Sequence, residues 1–150
     1  MLFLAMFYPS SVYSEFLTTS STKDLLKGFQ DILPADESFK FSAFKIEERI
    51  ILSWELKENC FLYKDKFEIT AFPKTYIDIV TTETSLPIND EYFGEVEVFY
   101  NNVTKSFVHD ENMEKIIVKY QGCNAKGFCY PVINKELIIK KGKNLIIKGT

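Results

Sequence analysis

Residues 50–56 read Ile-Ile-Leu-Ser-Trp-Glu-Leu, with a large apolar side chain at every second position. An alternation of period two is typical of a β-strand that buries one face. It decides the fold class because the same alternation recurs along most of the chain. The further alternating sets are Phe39/Phe41, Phe67/Ile69/Ala71, Val96/Val98/Tyr100, Ile116/Val118/Tyr120 and Leu137/Ile139.

Turn signals separate these predicted strands. They are short polar stretches, some of them containing Pro or Gly, that end one strand and reverse the chain. Several short strands joined by such turns indicate an all-β protein built as an antiparallel β-sandwich. The signals lie at Glu47-Glu48, Lys57-Glu58-Asn59, Pro87-Ile88-Asn89-Asp90, Asn101-Asn102 and Lys141-Gly142-Lys143.

The composition suits one β-rich domain. A chain of 150 residues can bury a hydrophobic core without metal ions or several disulfides. The 14 Phe and 8 Tyr residues favour strands. A net charge of −3, with basic residues spread along the chain, argues against binding to nucleic acids or to anionic membranes.

The N-terminal region differs from the rest of the chain. Residues 1–14 start with an apolar segment and are interpreted as a truncated export signal, because the usual basic start is missing. Residues 15–32 are expected to form a helical or linker segment, and apolar spacing over 22–33 predicts a short helix that Pro34 ends. The sandwich domain then spans 33–150. An exported chain would fold in an oxidising compartment, where a disulfide persists.

Cys123 and Cys129 bracket a five-residue loop that has Gly122 and Gly127 at its shoulders. A local disulfide requires the chain to reverse within this loop, and both glycines are expected to supply the positive φ angles for the reversal. Closing so small a ring contributes only ~2.4 kcal/mol, against ~4.7 kcal/mol for a loop of about a hundred residues. A short, exposed, glycine-flanked disulfide therefore indicates a redox centre.

The third cysteine, Cys60, raises the question of an intersheet disulfide of the antibody type. That pattern needs a Trp after the first cysteine and a Tyr two residues before the second. Here Trp54 precedes Cys60, and Tyr120 stands three residues before Cys123, so this pairing is not expected. Cys60 is interpreted as a buried free thiol, with an intermolecular disulfide as the alternative. The C-x5-C spacing is also unlike that of zinc ligands, so no metal site is predicted.

The cysteine loop resembles a known family. The stretches 120–123 (Tyr-Gln-Gly-Cys) and 127–131 (Gly-Phe-Cys-Tyr-Pro) are similar to the N-terminal periplasmic domain of the thiol:disulfide interchange proteins of the DsbD family. The resemblance runs from about Leu33 to Ile139. Three further stretches agree in order, namely Leu33-Pro34 with Phe39-Lys40-Phe41, Leu62-Tyr63-Lys64-Asp65-Lys66, and Asp90-Glu91-Tyr92-Phe93-Gly94.

The resemblance implies an immunoglobulin-like β-sandwich with a protein-disulfide reductase activity and no cofactor beyond its redox-active disulfide. It implies that this disulfide accepts electrons from a thioredoxin-like domain and passes them to periplasmic thioredoxin-like proteins. Those acceptors include the disulfide isomerase and the reductant of cytochrome c maturation. In the family the domain continues into a membrane-embedded electron conduit, which would lie in the same chain or in a neighbouring one.

The resemblance also assigns roles to the two cysteines. Cys129 would form the mixed disulfide with partner proteins, and Cys123 would be the resolving thiol. A depressed thiol pKa is not expected, because Lys126 is the only nearby cation in sequence while Asp90 and Glu91 are acidic. Reactivity is therefore expected to depend on docking.

A cap loop is implied over the disulfide, with Tyr92 and Phe93 excluding small oxidants and thiols. Tyr92 replaces the phenylalanine usual in the family, Phe61 stands where a tyrosine is common, and Val132 replaces a second proline. The implied cap consists of Asp90, Glu91, Tyr92, Phe93 and Gly94. The implied pocket and partner-contact residues are Phe61, Tyr63, Phe128 and Tyr130.

One alternative comes from a different functional class. The chain would then be a secreted β-sandwich used for adhesion or assembly, with the C-x5-C ring only stiffening a loop. The cap segment at 90–94 favours the redox interpretation, because a structural ring needs no removable lid. Asp65 and Lys66 are interpreted as a solvated pair, and His109 as an ordinary loop residue.

Overall fold

A computed structural model describes residues 32–140 and 145–149. The predicted export signal at 1–14, most of the predicted helix at 22–33 and the turn signal at 141–143 lie outside these residues. The last two positions of the predicted helix, Ile32 and Leu33, are described and are not helical.

Pro34 precedes a helix, although the sequence predicts that it ends one. Helix α1 is a single turn, Ala35–Ser38. The carbonyl oxygen of Pro34 accepts hydrogen bonds from the amides of Glu37 (3.0 Å) and Ser38 (2.9 Å). Its φ of −53° suits the start of a helix. The missing N–H of a proline costs nothing there, because the first N–H groups of a helix have no partner within the helix.

Strands account for most of the described chain. A 3₁₀ turn at Lys64–Lys66 lies between the third and fourth strands. No helix of the described ranges is long and apolar enough to cross a membrane. The strands are β1 (Phe39–Ile46), β2 (Arg49–Leu56), β3 (Cys60–Tyr63), β4 (Glu68–Phe72), β5 (Val80–Thr81), β6 (Leu86–Asp90), β7 (Gly94–Tyr100), β8 (Asn102–Val108), β9 (Lys115–Tyr120), β10 (Gly122–Asn124), β11 (Phe128–Cys129), β12 (Ile133–Ile139) and β13 (Leu145–Gly149).

Among the described residues, these strands form three antiparallel sheets. Their strand orders are β1-β2-β8-β5, β11-β10-β3-β7-β6 and β13-β12-β9-β4. The second and third sheets adjoin along the chain, since β3 leads into β4 and β9 leads into β10. Side chains of all three sheets share one core, so the predicted immunoglobulin-like antiparallel sandwich is confirmed.

The core is centred on the alternating residues of β2. Ile50, Leu52 and Trp54 are fully buried. The Trp54 ring packs against Phe41 and Tyr120, with centroid distances of 5.0 Å and 5.5 Å. The alternation at 50–56 therefore marks the inner face of the sandwich, as the sequence predicts.

Strand β3 is buried on both faces. Cys60 and Leu62 belong to the main core. Phe61 and Tyr63 point to the other face, where they form a second apolar cluster with Cys123 and other residues. The cysteine loop is therefore positioned on the outer face of the second sheet.

One predicted turn is wrong. Residues 87–90 form most of β6, which is an edge strand, and the turn follows at 91–93. An edge strand tolerates Pro87 because one side of its backbone needs no hydrogen-bond partner. The turn signals near Glu47, Asn59 and Asn101 are confirmed, since these residues have φ values of 52°, 63° and 63°. Asn102 already belongs to β8.

Candidate redox site

The predicted disulfide is present as a cross-strand bridge. Cys123 in β10 lies directly opposite Cys129 in β11, with their Cα atoms 4.0 Å apart. The hairpin turn between them uses Gly127 at a φ of 89°. Asn124 fixes this turn, because its carbonyl oxygen accepts the Gly127 amide (3.0 Å) and its Oδ1 accepts the Lys126 amide (2.9 Å). The cysteines are thus held by a tight β-hairpin.

Gly122 is required for a different reason from the one predicted. Its φ is not positive; positive values among the described glycines occur at Gly94 and Gly127. A Cβ atom on Gly122 would instead collide with the carbonyl oxygen of Phe61 in β3. The absence of a side chain lets the disulfide hairpin approach β3 closely, and it is this approach that places Cys123 against Phe61 in the sheet register.

The disulfide is less exposed than the sequence suggests. Cys123 is only 2% exposed and belongs to the apolar cluster with Phe61 and Tyr63. Cys129 packs at the rim of the same cluster and is partly exposed. The two sulfurs are therefore unequal, and Cys129 is the one that a reagent from solution reaches more easily.

Tyr63 connects the disulfide to the cap loop. Its hydroxyl lies 3.0 Å from Cys123 Sγ and 3.9 Å from Cys129 Sγ, and it donates a 2.7 Å hydrogen bond to Asp90 Oδ2. Burial, followed by the hydrogen bond to Asp90 and the charge of Asp90, raises the pKa of Tyr63. The phenol therefore keeps its proton and remains a hydrogen-bond donor beside the sulfurs.

Asp90 organises the cap loop. Its Oδ1 accepts hydrogen bonds from the amides of Tyr92 (2.8 Å) and Phe93 (3.0 Å), and Gly94 completes the turn at a φ of 72°. Partial burial acts to raise the pKa of Asp90, but the hydrogen bonds from Tyr63 and the two amides outweigh it and lower that pKa. The carboxylate is thus the group that ties the cap to the site.

The two cap aromatics are placed differently. The Phe93 ring packs edge-on against Tyr63 at a centroid distance of 5.3 Å, although the residue is 46% exposed. Tyr92 is more exposed still, at 64%. Glu91, between Asp90 and Tyr92, is also exposed. In this conformation the cap reaches the disulfide through Asp90 and Phe93, both of which contact Tyr63.

The predicted pocket residues divide between the two faces of the sheet. Phe61 lies in the site and packs edge-on against Tyr63 at 5.4 Å. Tyr130 is buried in the main core, where its hydroxyl donates to the carbonyl oxygen of Leu33 (2.7 Å). Phe128 packs against Tyr130 at 4.9 Å and contacts the same core. Phe128 and Tyr130 thus support the hairpin from behind and anchor the segment before α1.

Cys60 is a free, buried thiol, as the sequence predicts. It is 2% exposed, so the alternative of an intermolecular disulfide has no accessible sulfur in the folded domain. The side-chain amide of Asn124 lies 3.6 Å from the Cys60 sulfur, and burial raises the pKa of the Cys60 thiol. Within residues 32–140 and 145–149, no three His, Cys, Asp or Glu side chains are grouped as a metal ion would require.

Sequence reasoning missed two members of the site. Asn124 could have been found from the known preference of Asn for bonding to its own backbone in tight turns. Lys66, interpreted as part of a solvated pair, has its Nζ 4.4 Å from the centroid of the Phe93 ring. No local pattern indicates this contact, because it joins two segments that meet only in the folded sheet.

Comparisons with known proteins show which family this chain belongs to. The family model for the thiol:disulfide interchange protein DsbD, N-terminal, matches residues 29–140. The DsbD protein of Vibrio vulnificus is 34% identical over 106 residues, which are 69% of this chain and 18% of that protein. The DsbD protein of Klebsiella pneumoniae is 33% identical over 128 residues, 80% of this chain and 21% of that protein. The chain thus spans about a fifth of the length of these relatives.

Two solved structures share the fold. The DsbD N-terminal domain of Neisseria meningitidis in its reduced form has a TM-score of 0.68 at 20% identity, covering 79% of this chain and 96% of that domain. The complex between the DsbD and PilB N-terminal domains of the same organism gives a TM-score of 0.61 at 20% identity, covering 75% and 91%. The sequence match over residues 29–140, together with this shared fold, establishes that the chain belongs to the DsbD N-terminal family.

Proposed function

We propose that this domain is a periplasmic protein-disulfide reductase module that relays electrons through Cys123 and Cys129 between thioredoxin-like proteins. One observation carries the proposal. The disulfide joins two neighbouring strands, presents one partly exposed sulfur, and lies beside a loop that only noncovalent contacts hold in place. A bridge that served only stability would need neither the unequal sulfurs nor the cap.

The incoming step reduces the domain. A thiolate of a reduced partner attacks Cys129 Sγ, the Cys123–Cys129 bond breaks, and Cys123 leaves as a thiolate that takes up a proton. The second thiol of the partner loses its proton and attacks the partner sulfur of the mixed disulfide. Cys129 is released, and the partner leaves with a disulfide. Cys129 leaves as a thiolate, so the domain has then gained two electrons and the one proton that the second thiol of the partner lost.

The outgoing step is the reverse with a second partner. Cys129, as a thiolate, attacks the disulfide of the acceptor and displaces one acceptor sulfur. Cys123 then loses its proton and attacks Cys129 Sγ, which reforms the disulfide and releases the reduced acceptor. The 2% exposure of Cys123 fits a resolving sulfur, because it needs access only to Cys129.

Tyr63 is placed to stabilise a thiolate at Cys123. Its hydroxyl lies 3.0 Å from that sulfur and also bonds to Asp90. When Cys123 carries negative charge, the hydroxyl can turn its hydrogen from Asp90 to the sulfur. Charge-assisted hydrogen bonds of this kind are about twice as strong as neutral ones. This contact would stabilise the thiolate during both steps.

The proposed partners are thioredoxin-like proteins, following the family. The donor would be a thioredoxin-like domain of the DsbD type, supplied through a membrane electron conduit. The acceptors would be the disulfide isomerase or the reductant of cytochrome c maturation. The structure of a DsbD N-terminal domain in complex with the PilB N-terminal domain supports the idea that this fold docks a protein partner.

Trapping experiments test the roles of the sulfurs. Cys123→Ala leaves the accessible Cys129, which is expected to form a mixed disulfide with an oxidised thioredoxin-like protein. Cys129→Ala leaves the buried Cys123 and is expected to trap none. Non-reducing gels with both variants, and with Cys60→Ala as the matched control, read out the adduct. Equal trapping by both variants, or by neither, would reject the role assignment.

The reduction potential separates exchange from a structural ring. Structural disulfides of secreted proteins lie below about −300 mV, whereas exchanging ones are more oxidising. We expect the Cys123–Cys129 pair to equilibrate with glutathione at a potential above that limit. A lower value would favour the adhesion or assembly module, in which the ring only stiffens a loop.

A further inference from the structure

The Phe93 ring of the cap has two contacts with residues 63–66, at the end of β3 and in the 3₁₀ turn that follows it. Tyr63, the last residue of β3, packs against the ring edge-on. Lys66, three residues later at the end of the 3₁₀ turn, places its ammonium group 4.4 Å from the ring centroid. A cation within about 6 Å of an aromatic centroid is attracted by the ring electrons. One short stretch of chain therefore supplies two of the contacts that hold the cap.

We propose that Lys66 is a positioning residue that holds the cap closed through the Phe93 ring and so limits how often the disulfide becomes accessible. The inference rests on the proposed function in one respect, since access matters only if the sulfurs exchange. Lys66 touches neither sulfur. It acts through the cap, which is also held by the hydrogen bond between Tyr63 and Asp90 and by the contact of the Phe93 and Tyr63 rings.

The size of the effect follows from the exposure of the contact. Because Phe93 is 46% exposed, the interaction belongs to the weaker, solvated class of cation–π contacts. Losing a contact of that class changes the ratio of open to closed cap by about two- to fivefold. An effect of this size slows small reagents while leaving the cap easy for a docking protein to displace.

The chain offers a matched control in the same turn. Lys64 carries the same charge two residues earlier, but its ammonium group pairs with Glu97 in β7. Replacing Lys64 by Gln therefore removes one positive charge near the site without removing a contact to Phe93. Replacing Lys66 by Arg keeps a cation over the ring, because guanidinium groups also stack on aromatic faces.

The test measures how fast dithiothreitol reduces the disulfide of the folded, oxidised domain. Peptide mapping at successive times gives the fraction of Cys123 and Cys129 that is reduced. Lys66→Gln is expected to raise the rate about two- to fivefold. Lys66→Arg and Lys64→Gln are expected to leave it within experimental scatter. Circular dichroism and thermal melting verify that each variant is folded.

The direction in which the rate changes separates the proposed latch, in which Lys66 holds the cap closed, from a simple effect of charge on the reagent. Dithiothreitol attacks as a thiolate, so the loss of a nearby positive charge would by itself slow the reaction. A double-mutant cycle with Phe93→Leu adds a second test, because Lys66→Gln should have no further effect once the ring is gone. A Lys66→Gln rate that is unchanged or slower, or an equal effect of Lys66→Gln with and without the Phe93 ring, overturns the proposal.

The outcome is independent of the relay itself. Reduction by dithiothreitol needs no protein partner, so the latch can be confirmed even if the domain fails to trap a thioredoxin-like protein. Conversely, normal trapping with an unchanged Lys66→Gln rate would reject the latch and leave the proposed relay intact. The two failures are therefore distinguishable.

Discussion

The disulfide hairpin and the cap hairpin occupy opposite ends of the same sheet, with β3 between them. Each has a tight turn completed by a glycine with positive φ, Gly127 at 89° and Gly94 at 72°. The disulfide hairpin is closed by a covalent bond and backed by the main core through Phe128. The cap hairpin is held to the site by the hydrogen bond between Tyr63 and Asp90 and by the contact of the Phe93 and Tyr63 rings at an exposed rim.

This difference suggests a division of labour. The sulfurs must keep a fixed geometry, so their hairpin is rigidly supported on its inner side. The proposed function requires the cap to move, and its contacts with Tyr63 and Lys66 are noncovalent and lie at an exposed rim. Both hairpins meet at Tyr63, whose hydroxyl touches the sulfur of one and the carboxylate of the other.

The largest expected effect comes from adding a methyl group to each hairpin. Gly122→Ala would drive a Cβ into the backbone of β3 and is expected to lower the free energy of unfolding by about 3 kcal/mol. Gly94→Ala meets no atom within 4 Å and is opposed only by its φ of 72°, so about 1 kcal/mol is expected. Urea unfolding measures both. Equal losses would show that the two hairpins are equally constrained.

The next effect concerns the residue shared by the two hairpins. Tyr63→Phe removes the hydroxyl beside Cys123, and the rate of exchange with a thioredoxin-like partner is expected to fall at least about tenfold, as for other hydrogen bonds to charged groups. Stopped-flow measurement gives the rate. Tyr100→Phe is the control, since its ring packs against Phe61 in the same cluster. If both variants exchange at the wild-type rate, the hydroxyl plays no part in the step.

The smallest effect should appear as a pH dependence of the cap. In the folded state the pKa of Asp90 is lowered, so the stabilisation by its carboxylate is present above the ordinary value of about 3.9 and is lost as the pH falls through the depressed pKa. The rate of reduction by a phosphine, divided by the rate of the Asp90→Asn variant at the same pH, should therefore rise about twofold between about pH 5 and about pH 3. The ratio cancels the protonation of the phosphine itself.

Two variants sharpen this measurement. Asp90→Asn keeps an oxygen for the cap amides but does not titrate, so its reduction rate should change with pH only through the protonation of the phosphine. Glu91→Gln removes the neighbouring exposed carboxylate and should leave the wild-type profile intact. Circular dichroism at each pH excludes global acid unfolding. A ratio of the wild-type rate to the Asp90→Asn rate that stays constant over these pH values, while the domain stays folded, would contradict the role of Asp90.

The alternation of apolar residues was sufficient to predict a strand where one face of that strand is buried and the other is solvated. The alternation at 50–56 correctly predicts β2, whose inner residues Ile50 and Leu52 are fully buried. It failed at β3, where Cys-Phe-Leu-Tyr is buried on both faces and shows no alternation. The sandwich was thus predictable, but β3, the strand that carries Phe61 and Tyr63, was not.

Strand β8 was missed because a lysine occupies its inner face. Lys105 is 7% exposed between Val103 and Phe107. Its ammonium group lies 4.5 Å from the centroid of the Phe67 ring and donates to Thr81 Oγ1 at 2.9 Å. Burial lowers its pKa. In the sequence this residue breaks the apolar alternation, and only the fold shows the groups that accommodate it.

The sequence by itself determined the strand alternation, the local pairing of Cys123 with Cys129 and membership of the family. These features depend on neighbours within a few residues or on a motif. The tertiary structure alone decided which sulfur is buried and that Tyr63 touches both Cys123 and Asp90, residues 60 and 27 positions away. It also placed Lys66 over Phe93. Such contacts arise from the pairing of distant strands, and no local pattern of residues encodes them.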